Sequence, residues 1–584
     1  MQEAKCGEDG LLRQLMQPGV LPGSAGGVSL IETHISWVLL AGEHAWKLKK
    51  PLDLGFLDFS TLERRREACE AELRLNRRTV PELYEAVVPV WQTVAGVRVG
   101  DPPGVATGDL AKAGARGERG AAGSAVEAED DRETAGADSG TDRTDTTEAA
   151  PAGRLDATPL DYLVRMRRFD QSALFDARLA AGQLEPALFD RLARHVAAFH
   201  EDAAVAQPGD GFGDAAAVMA PVRQNFAQIR ERVFDVALLS ELARIEAWAE
   251  ARFAALAPVF DARLAAGRVR ECHGDLHLGN LIVLDGEPRL FDAIEFSAAL
   301  RWTDVVADIA FLVMDLQARG RMDLASRFLD AWLARSGDYA GLQLLPWYLS
   351  YRAMVRAKVA AIRAGQVEGG ARADSLAECA RYLALAAAQM QPPAPALLIA
   401  SGLSGAGKTS QSQPLVEGCG VIRVRADVER KRLFGLDADA RSGSTLGGGL
   451  YSAEASARTY ARLAELARAV VEAGYPVLVD ATFLKRSQRL AFAELAATLG
   501  VPFAILAFDA PVETLRARVR QRAEVGTDAS EADVAVLETQ LRAREPFEEE
   551  ELACVVPIDT ASAPDWRRLL PVLARLWPGA ATGE

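Results

Sequence analysis

Hydrophobic and polar positions follow two periods along the chain. Apolar residues recur at helical spacing through residues 175–270 and again through 343–390, which predicts helices in both stretches. Shorter stretches at 86–91 and 161–166 have the character of strands. After residue 395, apolar runs of strand length alternate with helical segments, an order that predicts a parallel sheet.

Residues from about 100 to 156 break this pattern. They consist largely of Gly, Ala, Asp, Glu and Thr, with almost no large apolar side chains. Such a segment cannot bury enough surface to offset the entropy lost on ordering. Because strand-like stretches flank it, we expect a disordered insertion that extends a loop within one domain.

Proline residues mark a linker further along the chain. The sequence QPPAP at residues 391–395 stops the preceding helix and stiffens a short connection. We therefore predict two domains, residues 1–392 and 393–584. A terminal helix at 566–576 and a frayed tail are expected to end the chain.

Composition narrows the function classes. Of 584 residues, 49% are hydrophobic and 25% charged, which is typical of soluble globular proteins. Since no apolar run approaches a membrane span and the first residues are unlike a signal peptide, we expect a cytoplasmic protein without a membrane partner. The net charge of −15 argues against general binding of duplex nucleic acid. A basic cluster at 423–432 keeps a nucleic-acid end open as a ligand, and six scattered cysteines predict neither a zinc knuckle nor a disulfide framework.

The segment GLSGAGKT at residues 402–409 fits the phosphate-binding pattern G-x-x-x-x-G-K-[ST] between an apolar strand and a helix start. Its glycines allow backbone N–H groups to curl around a phosphate. Lys408 is expected to neutralise the β and γ oxygens of ATP, and Thr409 to hold Mg²⁺. The residues predicted to bind the nucleotide are Gly402, Leu403, Ser404, Gly405, Ala406, Gly407, Lys408, Thr409 and Ser410.

A second set of phosphoryl-transfer residues lies in HGDLHLGN at 273–280 and in the following FD. Phosphoryl transfer needs one carboxylate at the acceptor hydroxyl, and an amide with a second carboxylate for Mg²⁺. Asp275, Asn280 and Asp292 have the order and spacing for these parts. The alternative is a His- and Asp-rich turn in which Asp292 caps a helix.

These motifs resemble the catalytic and metal-binding loops of the aminoglycoside phosphotransferase and choline kinase group. The resemblance implies an α+β, protein-kinase-like, bilobal domain in which Asp275 is catalytic and Asn280 and Asp292 bind metal. It also implies that His273 supports the loop and that the aspartates of the segment 301–308 brace it. His277 inherits no role and is expected to face solvent.

The same resemblance requires a lysine on an N-terminal strand and a glutamate on the next helix. Alternation along residues 44–51 places Lys47 and Lys49 on one face, and we choose Lys47 for the phosphate contact. Glu72 is chosen as its partner from a charged helix on which any one glutamate is otherwise a solvated residue. A G-x-G-x-x-G loop is missing before this strand, so residues 33–36 are expected to cover the phosphates.

Three further polar side chains follow the P-loop in the α/β region. Asp427 ends one predicted strand, with Arg430 one helical turn later, and Asp480 ends another strand in the manner of a Walker B carboxylate. A helix N-cap is the alternative for Asp427.

This region resembles the small P-loop kinases, which include polynucleotide kinase, gluconate kinase, chloramphenicol phosphotransferase and zeta-type toxins. The resemblance implies an α/β domain in which Asp427 is the base, Arg430 is an acceptor-side cation and Arg522 is a lid arginine, with Arg518 one turn before it. Asp480 would contact Lys408 and hydrated Mg²⁺.

The two motif sets together predict an ATP- and Mg²⁺-dependent phosphotransferase with two nucleotide sites. Hydroxyl groups of a small molecule or of a nucleic-acid end are the expected acceptors. The alternative is that one domain is a non-catalytic ATP-sensing module that regulates the other. The acceptor and the oligomeric state are not specified by the sequence.

Overall fold

The computed structural model describes residues 10–53, 57–94, 96–101, 158–391, 394–437, 440, 452–525 and 530–582. It divides into two compact units, residues 1–74 with 82–168, and residues 75–81 with 169–584. Residues 102–156 of the predicted insertion lie outside the described residues, as do the two prolines at 392–393. The domain boundary at 392–393 stays a prediction.

An antiparallel sheet and the helix that follows its third strand are the main described elements of the first unit. The strand order is β1-β2-β3-β6-β4-β5, and each neighbouring pair is antiparallel. The elements are β1 (Ser29–Glu32), β2 (Ser36–Ala41), β3 (His44–Lys49), α1 (Leu62–Asn76), β4 (Tyr84–Thr93), β5 (Gly96–Val99) and β6 (Asp161–Arg167). Trp46 and Leu48 of β3 join the apolar core of this sheet, so Lys47 and Lys49 take the other face, as the alternation predicted.

Helices dominate the second unit up to residue 388. They confirm the helical patterns at 175–270 and 343–390, and they carry a common apolar core. The helices are α2 (Phe175–Ala180), α3 (Pro186–Asp202), α4 (Ala215–Arg230), α5 (Val236–Ala265), α6 (Ala298–Arg301), α7 (Val305–Ala318), α8 (Met322–Ser336), α9 (Leu345–Ala364) and α10 (Gly369–Ala388). Two short antiparallel pairs lie among them, β7 (Val269–Glu271) with β10 (Trp302–Asp304), and β8 (Leu281–Leu284) with β9 (Glu287–Leu290).

A parallel sheet follows, in the order β12-β13-β11-β14-β15, which confirms the parallel sheet predicted from the pattern. Its strands are β11 (Leu397–Ser401), β12 (Ile422–Arg425), β13 (Val477–Asp480), β14 (Phe503–Asp509) and β15 (Val555–Asp559). The helices around it are α11 (Lys408–Gln411), α12 (Gln413–Cys419), α13 (Ala426–Leu433), α14 (Ala453–Glu472), α15 (Arg486–Leu499), α16 (Val512–Val525), α17 (Val534–Ala543), α18 (Glu549–Leu552) and α19 (Trp566–Leu573). Because the strands are parallel, their carboxyl ends share one edge of the sheet.

The end of the chain differs from the expectation. The predicted helix stops at Leu573, and the expected frayed tail is wrong for residues up to 582, which form a 3-10 turn. Trp577 is 2% exposed, and its indole N–H donates to the carbonyl oxygen of Ala394 at 2.9 Å. The tail is ordered because this large aromatic side chain packs beneath the sheet.

Among the described residues, no helix combines the length and apolar character needed to cross a bilayer. The cysteines that the structure describes, Cys69, Cys272, Cys379, Cys419 and Cys554, are all free thiols.

Candidate functional site

Two lysines share one buried glutamate in the first unit. Lys47 Nζ lies 2.9 Å from Glu72 Oε1, and Lys49 Nζ lies 2.7 Å from Glu72 Oε2. The residues Lys49 and Glu72 are fully buried, whereas Lys47 keeps 7% of its surface exposed. Burial alone would raise the pKa of Glu72, but the two ammonium groups lower it to about 2. Glu72 is thus an ionised anchor for both lysines, and the phosphate contact of Lys47 stays a prediction.

A tight turn joins β1 and β2 where residues 33–36 were expected to cover the phosphates. The Thr33 hydroxyl donates to the carbonyl oxygen of Ser36 at 2.9 Å and accepts the Ser36 backbone N–H at 2.9 Å. These reciprocal bonds close the turn although residues 33–36 contain no glycine. The covering role itself stays a prediction.

In the second unit, the segment 273–280 forms the loop between β7 and β8. The Asn280 amide donates to Asp275 Oδ2 at 3.0 Å and to the Asp275 carbonyl oxygen at 2.9 Å. His277 Nε2 lies 3.4 Å from the same carboxylate oxygen. Burial on its own would raise the pKa of Asp275, but the charge and hydrogen bond of His277 hold it well below its usual value. Asp275 is therefore held as a carboxylate, the form that a base or hydroxyl-orienting group requires.

The solvent-facing position expected for His277 is wrong. Its side chain is 19% exposed, its ring packs edge-on against Phe311, and its Nδ1 accepts the Gly279 backbone N–H at 3.1 Å. Burial lowers the pKa of His277, but Asp275 outweighs this and raises it. The sequence could not show this contact, since the direction of a loop side chain depends on the helix packed behind it.

Helix α7 braces the loop at two points. The Asp308 carboxylate accepts the backbone N–H groups of His273 at 3.2 Å and Gly274 at 2.8 Å, which is the bracing predicted for the segment 301–308. Seven residues later on the same face, Asp315 accepts the N–H of Leu278 at 3.0 Å. Asp315 was not predicted, although its i+7 spacing from Asp308 was a usable signal.

Asp308 also has a partner from a distant part of the chain. His200 Nε2 of α3 lies 3.0 Å from Asp308 Oδ2, and both side chains are buried. Burial would raise the pKa of Asp308, and His200 is the largest of the influences that lower it instead. No pattern in the sequence pointed to His200, which lies 108 residues away from Asp308.

Asp292 has an unusual backbone and is not a helix cap. Its φ of 60° lies in the left-handed region, which is uncommon for residues other than glycine and marks functional loops when neighbouring contacts enforce it. The Phe291 N–H donates to the Asn280 carbonyl oxygen at 3.1 Å, which ties the two predicted metal ligands together. The next helix is capped by Ser297, so the capping alternative for Asp292 is wrong. Amide and carboxylate oxygens suit Mg²⁺.

The loop at residues 402–409 is packed so tightly that only glycine fits at two positions. A Cβ on Gly402 would lie 2.5 Å from the Phe508 carbonyl oxygen, and one on Gly405 would lie 2.8 Å from that of Leu515. Gly405 also has a φ of 83°. The side chains of Leu403 and Ala406 enter the core, so their part in phosphate binding is confined to the backbone.

Lys408 and Thr409 begin α11 directly after this loop. Lys408 Nζ donates to the carbonyl oxygens of Gly402 at 3.0 Å and Leu403 at 3.1 Å. The Thr409 hydroxyl donates to Asp480 Oδ2 at 2.5 Å, at the end of β13. A hydroxyl and a carboxylate side by side are oxygen donors that fit Mg²⁺.

Asp427 lies in the first turn of α13 and Arg430 in its last turn, and their side chains form an ion pair at 3.3 Å. Arg425 occupies the N-cap position of this helix, so the capping alternative for Asp427 is wrong. Both side chains are half-buried.

The lid arginines have different partners. Arg522 donates to the carbonyl oxygen of Ala532 at 2.8 Å. Arg518 donates to the carbonyl oxygen of Thr560 at 2.6 Å, and its other nitrogen lies 3.4 Å from that of Gly405. Arg518 therefore braces the P-loop, whereas Arg522 lies one turn further along α16.

One cleft of about 980 Å³ brings the predicted P-loop residues together. The predicted residues that line it are Ser404, Gly405, Gly407, Lys408, Thr409, Ser410, Asp427, Arg430, Asp480 and Arg522. Arg423 donates to the Thr409 carbonyl oxygen at 2.6 Å and to Asp330 Oδ2 of α8 at 3.0 Å, contacts that its place in the basic cluster at 423–432 did not predict.

Comparison with known proteins gives matches to both regions. Residues 152–345 match the model of the phosphotransferase enzyme family, and residues 397–547 match the model of the AAA domain. An uncharacterized protein of Mycobacterium tuberculosis (strain ATCC 25618 / H37Rv) is 28% identical over 510 residues, which cover 87% of this chain and 89% of that protein.

Solved structures also align with each region. A choline/ethanolamine kinase family protein from Mesorhizobium loti is 11% identical, covers 65% of this chain and 98% of its own, and has a TM-score of 0.34. A gluconokinase from Sinorhizobium meliloti 1021 is 23% identical, covers 32% of this chain and 92% of its own, and has a TM-score of 0.23.

The family matches support phosphotransferase activity in general terms. They confirm the two resemblances predicted from the motifs and their order along the chain. The chain thus has a region that matches the phosphotransferase enzyme family, called here the phosphotransferase domain, followed by a region with the P-loop that matches the AAA domain.

Proposed function

We propose that the protein is an ATP-dependent phosphotransferase with two nucleotide sites, each of which transfers the γ-phosphate to a hydroxyl acceptor. The observation that carries the proposal is the convergence of Lys408, Thr409, Asp427 and Asp480 on one cleft at the carboxyl edge of the parallel sheet. Cation, hydroxyl and carboxylates are the parts that phosphoryl transfer from a P-loop requires.

At the P-loop, the backbone N–H groups and Lys408 bind the β and γ phosphates of ATP. Asp427 accepts the proton of the acceptor hydroxyl as the new bond between that oxygen and the γ phosphorus forms. The bond from the γ phosphorus to the oxygen of the β-phosphate breaks, and ADP leaves. Mg²⁺, held by Thr409 and Asp480 when bound, would supply positive charge at the phosphate oxygens.

The phosphotransferase domain carries out the same reaction with Asp275 as the group that orients or deprotonates the hydroxyl. The low pKa of Asp275 supports this role, because the carboxylate is the form present at neutral pH. Asn280 and Asp292 would hold Mg²⁺ there. Lys47, anchored by Glu72, binds the α and β phosphates.

Transfer of label from ATP tests the proposal. The full chain is incubated with Mg²⁺ and γ-labelled ATP against neutral polyols, sugar phosphates, nucleosides and 5′-hydroxyl oligonucleotides. We expect labelled products of two classes, one lost in Asp275→Asn and the other lost in Asp427→Asn. Release of inorganic phosphate alone from every mixture would refute the proposal.

A second candidate function is that the phosphotransferase domain senses ATP and regulates the P-loop site. The observation that favours it is Arg423, which joins the Walker A carbonyl of Thr409 to Asp330 of α8. If the phosphotransferase domain senses ATP and does not transfer phosphate, Asp275→Ala leaves all label transfer unchanged, whereas Asp330→Asn alters transfer at the P-loop. Loss of one product class in Asp275→Ala excludes it.

A further inference from the structure

The cleft at the P-loop has a wall that does not come from the AAA domain. Helix α8 presents residues 327, 330, 331, 334 and 335 to it, which is one helical face. Helix α3 adds Asp190 and Arg194, one turn apart. Both helices lie within the match to the phosphotransferase family.

Ion pairs hold this wall in place. Arg327 of α8 binds both oxygens of Asp190 at 2.8 and 2.6 Å and reaches Glu417 of α12 at 2.8 Å. Asp330 accepts both the backbone N–H and the guanidinium of Arg423, at 2.8 and 3.0 Å, and is buried. Removal of one partner from an ion pair of low exposure costs much free energy, so the wall is a fixed part of the cleft.

The wall lies on the side where an acceptor would bind. Helix α8 packs against α12 and against β12, the strand that leads to Asp427. The sheet order places β12 and β13 on one side of β11, and β14, which leads to Arg518, on the other. The proposed base and the helices of the phosphotransferase domain therefore flank the same half of the cleft.

The charge of the cleft is opposite to that of the chain. Among the described residues, ten cationic side chains and four carboxylates line it, a net of about +6 in a chain of −15. Three of the four carboxylates already have an arginine partner, Asp190 with Arg327, Asp330 with Arg423, and Asp427 with Arg430. Two lining arginines also pair with carboxylates outside the lining, Arg327 with Glu417 and Arg335 with Asp437, which reduces the excess to about +4. A nucleoside triphosphate with one Mg²⁺ carries a net charge of about −2, so it does not neutralise the cleft.

We propose that this cleft binds a small anionic acceptor, which carries a phosphate or carboxylate group besides the hydroxyl that is phosphorylated. Arg194 of the phosphotransferase domain binds the anionic group, as an acceptor-binding residue supplied by the other domain. Arg335, which also pairs with the exposed Asp437 at 2.8 Å, adds a second positive charge beside it. The inference rests on the function proposed for the P-loop site. The volume is at the upper end of the range of about 300–1,000 Å³ for small-molecule sites, which suits a nucleotide together with a small acceptor.

Calorimetric titration of the full chain tests the anion site separately from catalysis. With Mg²⁺ and a non-hydrolysable ATP analogue at saturation, pyrophosphate and citrate serve as the phosphate and carboxylate probes. We expect at least one of them to bind the nucleotide-loaded chain, and Arg194→Glu to weaken that binding by about tenfold or more. Arg194 is exposed, so the substitution leaves the fold intact.

Arg191 is the matched control on the same helix. It lies 3.6 Å from Glu287 and is outside the lining of the cleft. Arg191→Glu should leave the dissociation constants of both probes within about twofold of wild type. Arg194→Lys, which keeps the charge, should restore most of the affinity.

Three results would overturn the inference. One is a nucleotide-loaded chain that binds neither probe. Another is binding that Arg194→Glu and Arg335→Gln both leave unchanged. The third is a 5′-hydroxyl oligonucleotide that binds more tightly than the small anions through the same arginines, which would assign the cleft to a nucleic-acid end.

Failure of the proposed function gives a different pattern. If the ATP analogue does not bind and Lys408→Ala leaves label transfer from ATP unchanged, the function proposed for the P-loop is wrong. Pyrophosphate titration of the nucleotide-free chain, with the same Arg194 and Arg191 variants, then still decides whether the anion site exists.

Discussion

The residues proposed for phosphoryl transfer handle charge in opposite ways in two parts of the molecule. Before the P-loop the key groups neutralise one another, since Glu72 binds two lysines in the first unit and Asp275 binds His277 and Asn280 in the second. At the P-loop the cleft keeps an excess of cations over carboxylates.

The two arrangements should respond differently to mutation and to ligand. Self-neutralised groups are ordered by the fold itself, and removing one member leaves an uncompensated buried charge. A cleft with excess positive charge gains its counter-charge from bound anions, so ligands should stabilise it strongly. The self-neutralised groups should therefore be sensitive to mutation, and the P-loop cleft to ligand.

Glu72→Gln should have the largest effect, because it removes the negative charge that two buried ammonium groups share. We expect a loss of about 3–5 kcal/mol in the free energy of unfolding, measured by denaturant titration of the full chain. Glu70→Gln on the same helix is the control, and its exposed pair with Arg66 should cost less than about 1 kcal/mol. Equal losses in the free energy of unfolding for Glu72→Gln and Glu70→Gln would contradict a special role of the buried ion pairs.

The Glu72 effect should also depend on pH. The folded-state pKa of Glu72 is lowered from 4.5 to about 2, so its stabilisation is complete above pH 4.5 and is lost as the pH falls towards 2. The difference in stability between wild type and Glu72→Gln should narrow across that window. A difference that stays constant down to pH 2 would contradict the ion-pair explanation.

Lys408→Met should lower transfer at the P-loop by about 10²–10³-fold, because it removes a cation from the transferred phosphate. The product class lost in Asp275→Asn should persist at its wild-type rate. The measurement is label transfer together with the number of ATP molecules bound per chain. Loss of both product classes would show that the two sites are not independent.

An ATP analogue should raise the thermal stability of the chain more by binding at the P-loop than by binding at the phosphotransferase domain. At a hundredfold excess over its dissociation constant, an ATP analogue should add about 2.7 kcal/mol, visible as a higher thermal midpoint. Lys408→Met should remove most of the shift, and Asp275→Asn little of it. A larger loss of the thermal shift in Asp275→Asn than in Lys408→Met would contradict this expectation.

His277→Gln should have the smallest effect, a fall in transfer by the phosphotransferase domain of less than about tenfold at neutral pH. His277 is the main influence that lowers the pKa of Asp275, so its loss should move the acid limb of the pH–rate profile to higher pH. In the wild type, the imidazolium is present below the raised pKa of His277 and is lost as the pH rises through it. His195→Gln is the control, and an unchanged acid limb in His277→Gln would refute the pairing.

Short motifs were predictable because their chemistry depends on adjacent backbone. The glycines of 402–409 are required by contacts and φ values within a single turn, and alternation along β3 sufficed to orient Lys47 and Lys49. Glu72 could be chosen from the sequence, but the sequence did not predict that both lysines bind its carboxylate.

Contacts between distant segments were not predictable. His200 reaches Asp308 across 108 residues, and Arg423 reaches Asp330 across 93. No local period links such pairs, because each depends on which helix packs behind the loop. The burial of Trp577 and of His277 was missed for the same reason.

Patterns along the chain were enough to predict the two motifs proposed for phosphoryl transfer, the parallel sheet and the order of the two matched regions. These follow from local backbone geometry and from the periods of apolar residues. Only the folded chain shows that α3 and α8 line the P-loop cleft and help to make it cationic. Charge accumulates there because packing, and not sequence proximity, brings arginines from separate helices to one surface.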